Sequence, residues 1–246
     1  LAFALVACAA CGGSGEPAQH QPSRLRRAER TQIAEPPPPD AQFQQPPAGA
    51  GQLKIKGITG SLNPDDVHQT MEARQPAFDA CIDMSRRSLR WVSGSIRFAF
   101  RVGVEGKVEE VHTVESSIGH RTLEACLSSV MAQTEFPPPA GHAAAQFAWG
   151  MSVEPIGQPP KPIEASLLKR VLQKRTREVF ETCSVRRRRE RFRITAYIAP
   201  GGRVVSAGAV PVPPRAEAKL DCVLEQVASW RMPKLDRSGK VSFDLR

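Results

Sequence analysis

Six cysteines are the residues of this chain whose spacing says most about chemistry. Four of them, Cys81, Cys126, Cys183 and Cys222, lie within patterned, partly apolar segments. No two have the close spacing of a zinc knuckle and no His stands beside them, so a metal site is not expected. Disulfides are expected instead, with buried free thiols as the alternative. Four cysteines allow three pairings, and spacing alone does not choose among them.

Catalytic constellations are missing from the pattern. His20, His68, His112, His120 and His142 are scattered, with no His-x-x-x-His pair and no Gly-x-Ser-x-Gly elbow. His112 beside Glu109 and Glu110 reads as a surface residue on a strand. Gly12-Gly13 and Gly201-Gly202 precede no phosphate-loop Lys-Ser or Lys-Thr. No catalytic residue and no cofactor are expected. The sharpest charged feature is Arg186-Arg187-Arg188-Arg189, followed by Arg191 and Arg193. Such a run suits anionic lipid, lipopolysaccharide, polysaccharide or an acidic protein partner. It also suits a solvated loop. Nucleic acid fits the charge but no interleaved aromatic residues accompany it, and none is expected as a partner. The net charge of +9 is uneven: residues 151–246 hold 20 of the 34 Lys+Arg but only 10 of the 25 Asp+Glu.

The elements that must position these residues are written twice. Adding 96 to a position carries Ile96 to Phe192, Phe98 to Ile194, Val102 to Ile198 and Gly106 to Gly202. It carries Cys126 to Cys222, Met131 to Val227 and Pro137 to Pro233, while Cys81 recurs 102 residues on as Cys183. Such recurrence is the signature of a repeated unit. Pairing Cys81 with Cys126 and Cys183 with Cys222 is the one scheme that gives both units the same bridge.

Each unit reads as α+β. Asn63-Pro64 opens a helix with Val67, Met71, Phe78, Cys81 and Ile82 inward, interrupted at Pro76. A hairpin follows, with Ile96, Phe98, Phe100, Val102 and Val104 on one face and Arg97 and Arg101 on the other. One buried face and one wet face fit an antiparallel sheet covered on a single side. A second helix spans about His120 to Thr134, and a strand about Gln146 to Val153. The second unit repeats this with a helix from Ile163 to Cys183, a hairpin over Phe192 to Val210, a helix from Ala216 to Trp230 and a strand from Lys240 to Leu245. The alternating Leu53 to Ile58 reads as an edge strand in the first unit, and the second lacks its counterpart.

The chain begins with an apolar run ending in Cys8-Ala9-Ala10-Cys11-Gly12. Leu5-Val6-Ala7-Cys8 resembles a bacterial lipobox, so residues 1–11 are expected to be a signal-peptide remnant, with Cys8, or alternatively Cys11, carrying the acyl anchor. Plain secretion and a membrane span are the other readings, the latter cut short by Gly12-Gly13-Ser14 against the ~20 apolar residues a span needs. Residues 12–50, rich in Gln and Pro, are expected to form a disordered tether, since they offer little apolar surface to bury. An exported protein meets an oxidising compartment, which agrees with disulfides.

These features together resemble the AgmX/PglI C-terminal domain of myxobacterial envelope proteins, itself similar in fold to the C-terminal domain of TonB. The residues that carry the resemblance are Gly57-Ile58-Thr59-Gly60-Ser61-Leu62, Gly94 opening the hairpin, the helical Leu123-Glu124-Ala125-Cys126 and Phe136-Pro137-Pro138. Residues 51–156 match well. Residues 157–246 are a degenerate copy, with Trp230-Arg231-Met232-Pro233 in place of Trp-x-Phe-Pro. The resemblance implies two tandem TonB-like repeats, each a short antiparallel sheet with two helices on one face, in a periplasm-facing protein of the cell envelope. Taken with the lipobox and the lack of a catalytic constellation, the expectation is a non-enzymatic lipoprotein. It would sit at the outer membrane facing the periplasm and bind a protein partner, by strand addition at a sheet edge.

Overall fold

Asn63 starts the ordered chain as the pattern requires: its side chain accepts the Asp65 N–H at 3.0 Å, and Pro64 takes the first helical position, where no N–H is missed. The computed structural model describes residues 60–186 and 189–246. Cys8, Cys11, the tether 12–50 and the strand expected over Leu53 to Ile58 lie outside the described residues, as do Arg187 and Arg188.

Helix α1 (Pro64–Ala73) stops one residue before Gln75, and α2 (Gln75–Arg86) restarts with Pro76 in its first turn. The proline interrupts one helix by heading the next. Strand β1 (Gly94–Val102) is central in a three-stranded antiparallel sheet, between β2 (Val108–Ser116) and β3 (Ala145–Val153). Ile96, Phe98, Phe100 and Val102 alternate inward and are buried. With Phe78, Leu123, Leu127 and Met131, from α2 and α3 (Arg121–Ala132), they build the first core. Phe100 stacks on Phe147 at 4.8 Å, and Phe136 meets both rings edge-on. Each fully buried large side chain contributes about 2 kcal/mol by area removed from water.

The second half opens with a two-residue strand β4 (Lys161–Pro162), a 3₁₀ turn over Ala165–Leu168 and α4 (Lys169–Thr182). Strands β5 (Arg191–Ile198) and β6 (Val204–Val212) form a hairpin, and β7 (Gly239–Leu245) pairs antiparallel with β5. Between them lie a 3₁₀ turn, Pro214–Lys219, and α5 (Leu220–Ala228). Phe192, Ile194, Val223, Val227 and Trp230 belong to the second core. The sheet order is β4-β7-β5-β6.

Several backbone contacts recur at the 96-residue offset. Gly106 N–H donates to the Gly103 carbonyl at 2.9 Å, and Gly202 N–H to the Ala199 carbonyl at 2.8 Å. Phe136 N–H reaches Gly106 O, and Met232 N–H reaches Gly202 O, both at 2.8 Å. Gly106 (φ 83°) and Gly202 (φ 79°) occupy the left-handed region, which glycine enters without steric cost. An added Cβ would strike Phe136 O at one turn and Met232 O at the other. Both disulfides are present, Cys81–Cys126 and Cys183–Cys222, each with a Cα–Cα distance of 5.8 Å.

Four features depart from expectation. Val104 is 54% exposed, because β1 ends at Val102 and the chain has already turned. The helix expected from Ile163 begins only at Lys169, and that expected from Ala216 begins at Leu220, each behind a 3₁₀ turn. The outer edge of β7 is not bare but pairs in parallel with β4. Most consequentially, the second sheet has no fully wet face. Thr195 and Tyr197, which point away from α4 and α5, are 1% exposed, because the first half covers them. Tyr197 belongs to the first core although it lies on β5.

Candidate interaction sites and a buried polar seam

Edges come first, because an unpaired strand edge offers backbone donors and acceptors to an incoming strand. Among the described residues β3 pairs only with β1, and no described strand runs along its other side. Its core-facing Phe147, Trp149 and Met151 are only half-buried, as expected where the covering layer runs out at an edge. Trp149 stacks on Phe78 at 5.6 Å, which fixes the middle of the strand to α2. β4 covers only Gly239 and Lys240 at the start of β7, and β6 lies against β2 and α3.

The arginines expected to act together are spread over two elements. Arg186 and Arg189 are exposed in a turn closed by Arg189 N–H to Arg186 O at 2.8 Å. Arg191 and Arg193 are exposed on β5, on the face away from the helices. Arg193 lies 3.6 Å from the Asp244 carboxylate, which offsets part of its charge. The turn itself is pinned by Glu190, which accepts from Arg186 N–H at 2.8 Å and from Lys219 Nζ at 2.5 Å. The Arg186 N–H bond, then the bond to Lys219, hold the Glu190 carboxyl below the usual carboxylate range.

His120 and Ser88 approach to 3.0 Å, which looks like a nucleophile and its base. The hydrogen bonds run the other way. His120 Nδ1 accepts the Leu123 N–H at 3.2 Å as the cap of α3, so a neutral ring carries its proton on Nε2 and donates to Ser88 Oγ. Ser88 Oγ in turn donates to Ser85 O at 2.9 Å. Burial also lowers the His120 pKa. This pair caps a helix; it is not arranged to take a proton from a serine.

The polar groups that the sequence did not single out lie where the two halves meet. Glu124, on the inner face of α3, is buried; its Oε1 accepts Ser116 Oγ at 2.6 Å and Gly119 N–H at 3.3 Å. Its Oε2 has no hydrogen-bond partner and faces Gly208 of β6, where an added Cβ would collide with the carboxylate. Burial pushes the Glu124 carboxyl up, against the opposing pull of Ser116, Gly119 and Arg121. On the same seam Lys240 Nζ donates to Ser93 O at 2.5 Å and sits 5.1 Å from the centre of the Tyr197 ring. Burial pulls its pKa down to about 8, although the Glu124 charge works against this. A cleft of about 10 Å³, room for roughly one water, opens beside Glu124 between His112, Ser128 and Glu217. No local motif announces this cluster. Polar residues at alternate strand positions look the same whether they face water or another half of the chain.

No group of three or more His, Cys, Asp or Glu side chains suited to a metal occurs among the described residues, and no described helix is long and apolar enough to cross a membrane. The arrangement defines a disulfide-bridged α+β protein with two sheets. The chain matches no protein-family model, no curated protein and no solved structure.

Proposed function

We propose that this is a non-enzymatic, lipid-anchored envelope protein, built from two tandem TonB-like repeats, that binds a partner protein by strand addition. The observation that carries the reading is the edge of β3 along which no described strand runs, with its half-buried Phe147, Trp149 and Met151. An added strand would satisfy that edge and cover the three side chains at once. The recurrence of turn and glycine at the 96-residue offset, with one disulfide in each half, supports descent of both halves from one unit. The two bridges agree with an oxidising compartment such as the periplasm.

The test is photo-crosslinking in the native host envelope, with a photoreactive residue placed at Gln146 or Ser152, both exposed on β3. A discrete protein adduct is expected from these positions and not from Lys174, exposed on α4. Ala148→Lys should abolish the adduct, because a charge at the strand edge opposes pairing. Equal adducts from β3 and α4, or an adduct indifferent to Ala148→Lys, would remove the proposal.

The alternative, a basic adaptor for anionic lipid or polysaccharide, has the exposed Arg186, Arg189 and Arg191 in its favour. It is the weaker reading, because the cluster is divided between a turn and a strand and Arg193 already faces Asp244.

A further inference from the structure

The seam between the halves carries ionisable groups that packing alone does not require. Glu124 comes from α3 of the first half, and Lys240 and Tyr197 come from β7 and β5 of the second. Contact between the halves is what dehydrates all three. Their surroundings are mixed in charge. Arg121, one turn before Glu124, is held by Asp221 of α5 at 2.8 Å and lies 3.9 Å from Glu217 of the preceding 3₁₀ turn. His112 of β2 lines the cleft, and His120 stands at the head of α3. From β6 come only the backbone of Gly208 and Ala209, and Ser206, whose Oγ donates to Gly119 O at 2.9 Å. Among the described residues no carboxylate bonds Lys240 and no cation bonds Glu124; each relies on neutral oxygen or N–H partners.

We infer that this seam is a proton-linked latch, which holds the two halves least tightly when Glu124 is an anion and Lys240 a cation. Neutralising either group tightens it. The sign follows from burial, the largest influence on both groups and larger than their mutual attraction. A carboxyl that binds its proton more firmly in the closed seam favours closure below its ordinary titration range. That contribution is lost as pH rises through the raised value. An amine pulled down to about 8 opposes closure below that pH and stops doing so as pH rises toward its ordinary range. Closure is therefore weakest between the two, near neutral and mildly alkaline pH. The inference is independent of strand addition, since it concerns a different face of the molecule.

The Ser93 amide reports on the seam, because it donates across it to the Tyr197 hydroxyl at 3.0 Å. Hydrogen exchange of the full chain, with both disulfides intact, would be followed by NMR at about pH 4.5 and about pH 7.5, each rate being corrected for intrinsic exchange. The Ser93 protection factor should be measurably higher at the acid pH, the direction that a raised Glu124 carboxyl requires. The Phe98 amide, in the centre of the first sheet, should not follow it. Glu124→Gln should abolish the acid increase, since His120, whose pKa burial lowers, acts in the opposite sense over the same range. Lys240→Met supplies a second reading should the Gln variant not fold: its Ser93 protection should rise at the higher pH and keep its acid increase. Equal Ser93 protection at both pH values in the unmodified chain would overturn the latch. So would an acid increase that survives Glu124→Gln, or a loss of protection in Lys240→Met at the higher pH.

Discussion

The Tyr197 hydroxyl donates to the Ser93 carbonyl and accepts from the Ser93 N–H, both at 3.0 Å, across 104 residues of chain. A single side chain of the second sheet thereby completes the backbone bonding of the residue just ahead of β1. Tyr197→Phe keeps the ring and deletes both bonds. Leaving the Ser93 N–H unpaired at this half-buried site should cost about 1–3 kcal/mol. Urea denaturation should show a lower midpoint with an unchanged slope.

Gly208 makes room for the Glu124 carboxylate, so Gly208→Ala sets a methyl group against a buried, partly unpaired oxygen. The expected loss is about 1–3 kcal/mol by overpacking, read as a lower thermal midpoint. Gly208→Ala combined with Glu124→Ala should lose less than the two changes taken separately.

Gly106 and Gly202 should respond alike. Each has positive φ and each would drive a Cβ into a carbonyl oxygen of the following loop. Alanine at either position should destabilise by about 1–3 kcal/mol through backbone strain, and the two losses should agree within about 1 kcal/mol. A difference larger than that in calorimetry would mean that the two turns are not energetically equivalent.

The disulfides close loops with sequence separations of 45 and 39 residues. Loop entropy assigns each about 4 kcal/mol. Paired Cys→Ser replacement of either bridge should lower the denaturation midpoint substantially, and reduction of both should unfold much of the chain at 37 °C. A chain equally stable with and without reductant would contradict this.

Glu190 sets an acid limit on the basic turn. Its carboxyl titrates below the usual range, so the stability it contributes is complete above that range and is lost as pH falls through the lowered value. Glu190→Gln should flatten this part of the acid-unfolding curve and raise exchange of the Arg186 amide, which the carboxylate accepts at 2.8 Å.

Much of the architecture was legible because it rests on local rules. The α+β character, both hairpins and the restart at Pro76 follow from periodicity and from what proline and glycine allow. The recurrence of cysteine positions picked out the two bridges that are present. The seam was not legible, for a physical reason. Thr195 and Tyr197 alternate with Phe192, Ile194 and Ala196 in a pattern that also describes a half-wet strand. Their burial is decided by the first half of the chain, where Gly119 lies against Thr195 and Ser93 bonds the Tyr197 hydroxyl, while Thr195 also bonds Ser242 of its own sheet. β4 escaped notice because two residues paired in parallel have no periodicity of their own. The arginine run showed its charge but not its division between a turn and a strand.

Because the second sheet is clad on one side by its own helices and on the other by the first half, β5 is a party wall between two rooms. A substitution at Thr195 or Tyr197 is answerable to both interiors, whereas one at Ala99, on the open face of the first sheet, answers to one. The two halves would then drift at unequal rates, with the second sheet held the more tightly. Cutting the chain between residues 156 and 161 would lay bare one side of that wall, so neither piece should keep its shape as well alone as joined.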